Sequence, residues 1–151
     1  MKINIEGLDL IKRWEGFEMH AYICPAGVPT IGYGATYYPS TRNAVKLTDK
    51  PISESYATLL LEDMVVHYEN GVKRYVSVEL TSNQFSALVS FAYNVGLGAL
   101  KSSTLLKRVN ANPNDEDIKK QFMRWNKGGG RVLKGLTKRR RSESDLYFLP
   151  L

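Results

Sequence analysis

Beginning near Ser53, just after Pro51, apolar residues recur at the spacing of one helix face: Ala57, Leu60, Leu61, Met64, Val65, Tyr68, Val72 and Tyr75. About 20 residues or more at this period span roughly 30 Å. A helix of that length crosses a small domain and suits the connection between two lobes, so the rest of the chain must be arranged around it. Its two sides differ in character. Before it, Gly27, Gly32 and Gly34 and Pro25, Pro29 and Pro39 interrupt short apolar stretches. There Thr30-Ile31-Gly32-Tyr33-Gly34 alternates and is rich in strand formers, which predicts a small antiparallel sheet with irregular loops. After it, everything reads as helix.

The helical signals are local ones. Leu8, Ile11 and Glu15 fall on one face of a helix over residues 5–15, and Gly16 breaks it. Thr81 and Gln84 form a capping box ahead of a stripe of Phe85, Leu88, Val89 and Ala92, which Gly96 and Gly98 end. A further helix runs from about Ser102 to Asn110 and stops before Pro113. Asp115 can cap another that carries Ile118, Phe122 and Trp125. Gly128-Gly129-Gly130 reads as a flexible break, and Thr137 as the cap of a last helix carrying Arg140, Ser144 and Tyr147. The fold class is therefore α+β, mostly α. We expect one domain, 1–151, with a sheet lobe at about 16–52, a connecting helix at about 53–76, and a helical lobe at about 77–151 that also takes in helix 5–15. So small a sheet does not stand alone, and a cleft between it and the helical lobe is the expected ligand site.

Composition narrows the function classes. With 151 residues, 43% hydrophobic and 24% charged, the chain reads as an ordinary globular protein with one core, not as a disordered or fibrous one. Its net charge of +6 is concentrated near the C-terminus, where Lys138, Arg139, Arg140 and Arg141 follow Lys134. Such a run is either a solvated helix face or an attraction to anionic polymers. It has no interleaved aromatics and no reader motif, which argues against nucleic acid. The lone Cys24 excludes an internal disulfide and a cysteine zinc set, and His20 and His67 lack ligand spacing, so no metal or cofactor is expected. No stretch resembles a signal-peptide core or a membrane span, so the expectation is a cytoplasmic monomer without an integral membrane segment. Trp14 and Trp125 are assigned to core packing.

Glu15 is the first candidate for chemistry. A carboxyl on the apolar face at a helix end is partly desolvated, which raises its pKa and keeps a proton ready for a leaving group. The competing reading is a side chain that reaches solvent or pairs with a base. Eight residues separate Glu15 from Cys24 and five separate Cys24 from Thr30, which opens Thr30-Ile31-Gly32-Tyr33-Gly34. At this point the chain resembles the phage-type lysozymes, or endolysins, of glycoside hydrolase family 24. Gly7-Leu8, Ile11-Lys12 and Glu15-Gly16 look like that family's opening helix, and Ala21-Tyr22 also matches. Gln84-Phe85, Ala87-Leu88, Phe91, Tyr93-Asn94 and Gly96 look like its central helix. Ser103-Thr104-Leu105-Leu106 with Asn110, then Trp125, then Gly135-Leu136, Arg139-Arg140 and Glu143 extend the similarity over nearly the whole chain. One departure stands out, Ala35 where the family usually has His; the middle residue, which varies between Asp and Cys within the family, is Cys24 here.

The resemblance implies a lysozyme-like fold and hydrolysis of the β-1,4 bond between N-acetylmuramic acid and N-acetylglucosamine in peptidoglycan glycan strands. Glu15 would be the general acid. Thr30 would hold the attacking water, and Cys24 would assist as thiolate or as a polarisable neighbour of the developing cation. The family is taken to invert, although a nucleophilic Cys24 would permit retention. Arg139 would reach back towards Glu15 and tune it. Tyr33, Gly34, Tyr93 and Asn94 would line the cleft, with plain core packing as the equal alternative for the two tyrosines. A holin-like protein would release the enzyme from the host cytoplasm to the wall. The rival readings are a non-catalytic wall-binding module on the same fold and a lytic transglycosylase.

Overall fold

The computed structural model describes residues 1–151. The chain runs α1 (Ile5–Glu15), β1 (Glu18–Ile23), β2 (Pro29–Gly32), α2 (Glu54–Tyr75), α3 (Ser82–Val95), α4 (Leu97–Ser102), α5 (Thr104–Ala111), α6 (Asp117–Met123), β3 (Lys127–Gly128), β4 (Arg131–Val132) and α7 (Lys134–Tyr147). It is a mostly helical α+β chain with a two-stranded antiparallel β1–β2 sheet. Two compact units are present: Ile11–His67, and Met1–Leu10 with Tyr68–Leu151.

The unit Ile11–His67 is built on the β1–β2 hairpin. Tyr22 pairs with Thr30 and Ile23 with Pro29, while an irregularity shifts the register between Glu18 and Tyr22. Ile31, Ala35 and Val45, and on α2 Ala57, Leu61 and Val65, are among its buried apolar residues. Gly32 adopts φ +67, and a Cβ there would stand 3.2 Å from that of Ala57 and 3.3 Å from Ile52 Cδ1. The strand end therefore sits directly on the first turns of α2. Ser53 Oγ caps that helix by accepting from Tyr56 N at 3.1 Å.

The other unit is organised around α3, whose residues Asn83–Ala92 are all buried. A helix buried on every side belongs in the middle of a bundle. Its capping box forms as the Thr81/Gln84 spacing predicts; α7 packs against it, and α6 packs against α7. Edge-on rings fill the interior: Phe91 against Phe122 (5.7 Å) and Trp125 (5.5 Å), and Phe122 against Tyr147 (5.8 Å).

Three local expectations need correction. Gly96 does end α3, but the chain re-enters a helix at once, and Gly98 lies inside α4. Leu97 seats over Gly71, where a side chain would not fit, and that contact carries the turn onward. Gly128-Gly129-Gly130 is no loose break: Gly129 (φ +58) and Gly130 (φ +79) close a tight β3–β4 hairpin. Thr137 does not cap α7, which starts earlier, at Lys134. Its hydroxyl instead donates back to Leu133 O at 3.1 Å, within the helix.

Candidate active site

Glu15 is the last residue of α1, and Gly16 turns the chain out of the helix with φ +73. Only Phe17 then intervenes before β1, so the carboxyl-bearing helix end and the hairpin are covalently close. The Glu15 side chain is half-buried.

Cys24 and Thr30 are brought together by the hairpin. Cys24 N donates to Val28 O at 3.0 Å and Gly27 N to Cys24 O at 2.8 Å, closing a tight turn over Pro25–Gly27. With Cys24 opposite Val28, Thr30 becomes its diagonal neighbour on the same sheet face, and Tyr22, opposite Thr30, shares that face. The Thr30 hydroxyl is the largest of the influences that lower the Cys24 thiol pKa, followed by the Val28 backbone. Thr30 Oγ1 also donates to Val28 O at 2.9 Å. A hydroxyl has one proton and two lone pairs. It therefore donates to Val28 when Cys24 is a thiol and can swing that proton to sulfur when Cys24 is a thiolate. Thr30 is buried, at 3% exposure, and Cys24 is half-buried, so the rotor is sheltered while the sulfur remains reachable.

Tyr22 did not stand out as a site residue in the sequence. Burial raises its phenol pKa, and the charges of Glu18, Cys24 and Glu15 raise it further. It stays a protonated donor within electrostatic reach of both Glu15 and Cys24. Only the strand register reveals its facing, although Ala21-Tyr22 already belonged to the matched pattern.

Tyr33 and Gly34 form the turn that follows β2. Ile31 and Ala35 exchange two backbone hydrogen bonds of 2.9 Å across it, and Gly34 takes φ +90. Tyr33 is 6% exposed, packed on Phe17 (5.7 Å) with Lys12 Nζ over its ring, so it supports the turn from within. Gly34 is half-buried. Ala35 lies in the core at 2% exposure.

In the helical unit, Tyr93 is half-buried and edge-packed on Tyr68 at 5.2 Å. Asn94 is exposed, and its Oδ1 accepts from Arg140 Nη2, a bond that leaves its amide nitrogen unused. Arg139 is buried, with Nε 3.5 Å from Glu143 Oε2. Glu143 also accepts from Arg140 Nη1 at 2.6 Å and Ser90 Oγ at 2.7 Å. Burial pushes the Glu143 carboxyl up, while Arg140, Arg139 and Ser90 pull it back.

A family model described as phage lysozyme matches residues 12–143. The endolysin of Bacillus phage B103 is 46% identical over 98% of this chain, which spans about half, 54%, of that relative's length. The endolysin of Salmonella phage P22 is 34% identical over 98% of this chain and 99% of its own. Among solved structures, an endolysin from Escherichia coli O157:H7 phage FAHEc1 superposes with a TM-score of 0.89 at 37% identity, covering 98% of this chain and 94% of its own.

Proposed function

The chain belongs to the phage lysozyme family, and from that premise we propose that it is a muramidase acting on peptidoglycan. The bond cut is the β-1,4 link between N-acetylmuramic acid and N-acetylglucosamine. Glu15 protonates the glycosidic oxygen as the bond breaks, and charge develops at the anomeric carbon in an oxocarbenium-like transition state. A water held by Thr30 adds to the opposite ring face, giving inversion. Cys24 assists it, as a thiolate that takes the water's proton or as a polarisable neighbour of the cation. Direct attack by the Cys24 sulfur would instead give net retention, which anomer-resolved NMR of the product reads out. Arg139 is proposed to tune Glu15, because a nearby cation lowers a carboxyl pKa and offsets desolvation. Gly34, Asn94, Tyr33 and Tyr93 are proposed to shape the glycan groove. No step needs a metal or cofactor.

The observation that carries this reading is the hairpin register, which sets Cys24 and Thr30 as diagonal neighbours on one sheet face with Tyr22, a tyrosine that feels the charge of Glu15. No helix is long and apolar enough to cross a membrane, and passage to the wall is proposed to depend on a separate holin-like protein.

Mass spectrometry of muropeptides from digested sacculi tests the proposal, with Glu15→Gln as control. The wild type is expected to give reducing ends carrying an added water, and Glu15→Gln to be slower by on the order of 100-fold or more. Anhydro-muramic ends would make the enzyme a transglycosylase. No cleavage by the folded wild type would make it a binding module.

A further inference from the structure

Charge is distributed very unevenly along the chain. Residues 118–142 hold ten of its 21 Lys and Arg and none of its 15 Asp and Glu, leaving eleven cations and fifteen acids elsewhere, a net −4. Part of this excess is spent internally: Arg139 and Arg140 are buried with Glu143, and Lys119 pairs with Glu116. Of the seven that remain, five lie on α7 and the hairpin that leads into it. Lys134, Lys138 and Arg141 follow at i, i+4 and i+7 on the solvent side of α7, opposite the buried stripe of Arg140, Glu143, Ser144 and Tyr147. Lys127 and Arg131 sit on the β3–β4 hairpin that leads into that helix, Lys127 paired with Val132 and Arg131 with Gly128. All five are exposed and none has an acidic partner. The turn between the two strands consists of glycines, so no side chain stands over the hairpin tip.

We propose that this face binds a linear, phosphate-bearing polyanion of the cell envelope, a poly(polyol phosphate), and holds the protein on the wall. A like-charged row without counter-charges raises its own electrostatic energy, and a polyanion relieves it while releasing its condensed counterions. The cations lie along the outer face of a helix and a hairpin, about one helical turn apart on α7, roughly 5 Å. That suits a flexible polymer meeting each in turn, not a small ligand that needs enclosure. The face has no outward aromatic for base stacking. Val132 and Leu133, exposed beside the cations, are too few to anchor a bilayer by themselves. The polymer's identity rests on the wall-directed reading above; the charge row does not.

The test uses the whole chain and sodium polyphosphate as probe, followed by calorimetry. Wild-type affinity is expected to fall on the order of 100-fold between 50 and 200 mM salt if about five phosphates are neutralised. Two variants of equal net charge decide the location: Lys127→Ser/Arg131→Ser/Lys138→Ser, and Lys2→Ser/Lys46→Ser/Lys50→Ser. The first should bind at least tenfold more weakly than the second at 50 mM salt, with a shallower salt slope. Equal binding by the two would overturn the proposal, as would preference for anionic vesicles or single-stranded DNA over polyphosphate at equal phosphate. Single substitutions at Lys127 and Lys138 give the same comparison should the triple variant fold poorly. Cleavage of short soluble glycans should be unchanged in the first variant, so loss of the muramidase reading and loss of this one are separate results.

Discussion

Glu143 and Glu15 are both carboxylates on helices, yet their surroundings differ in kind. Glu143, on α7, is fully buried and is met by Arg140 at 2.6 Å, Ser90 at 2.7 Å and Arg139 at 3.5 Å, with the Arg140 guanidinium over the Phe91 ring at 5.1 Å. Glu15, at the open end of α1, is only half-buried and is followed by a glycine and a hairpin. A buried, multiply bonded carboxylate is held in one position, which suits holding helices in register. A half-withdrawn carboxyl keeps the exchange with solvent that a proton donor needs. Glu143 thus does structural work in one unit, and Glu15 is the acid proposed above for the chemistry of the other.

The largest test of that contrast is Glu143→Ala. It strands the Arg140 guanidinium in the core without its counter-charge, and such truncations cost about 3–5 kcal/mol. Urea unfolding should show that loss. An unchanged midpoint would make the cluster a passenger and break the comparison.

Two glycines sharpen it at smaller energies. At Gly7, a Cβ would stand 2.7 Å from Ser86 Cβ and 2.8 Å from Ile3 Cγ1, so Gly7→Ala is an overpacking change costing about 1–3 kcal/mol. At Gly16, a Cβ meets no atom within 4 Å, and only φ +73 opposes it. Gly16→Ala should therefore cost about 1 kcal/mol from the left-handed backbone alone. It should also reduce turnover, because relief of that strain moves the end of α1 that carries Glu15. Thermal unfolding separates the pair. Equal losses would mean that the helix end by the site is packed as tightly as the interior.

What could be read beforehand follows the same division. Helices α1, α2 and α3 carry their signals in adjacent residues: the period of Leu8 and Ile11, Ser53 after Pro51, and the Thr81/Gln84 box. The spacing of Glu15, Cys24 and Thr30 was visible too, but the placing of Cys24 beside Thr30 depends on the Pro25–Gly27 turn, and the facing of Tyr22 on its pairing with Thr30. Helix α4 was hidden because Gly96 and Gly98 both signal a stop, and its continuation rests on Leu97 meeting Gly71, far away in sequence. Burial of Glu143 was equally hidden: it follows three arginines in a stretch that reads as surface, and only the packing of α7 on α3 withdraws it from water.

The finest distinction concerns one proton. The Thr30 hydroxyl is the largest influence lowering the Cys24 thiol pKa, and its proton, on Val28 O in the structure, can turn to a thiolate, so Thr30→Val removes a stabiliser of that thiolate and should raise the pKa. If the thiolate assists the attacking water, lysis rises with pH as Cys24 ionises, and the substitution moves that limb of the pH–rate profile to higher pH. If the neutral, polarisable thiol is the working form, rising pH removes it, and the same substitution extends activity to higher pH on the falling limb instead. Turbidity rates across pH for wild type and Thr30→Val, with Cys24→Ser to show which limb belongs to the sulfur, decide between the two. A profile unmoved by Thr30→Val would mean that the hydroxyl never shares its proton with Cys24. The half-open site would then be as fixed in its hydrogen bonding as the buried Glu143 cluster.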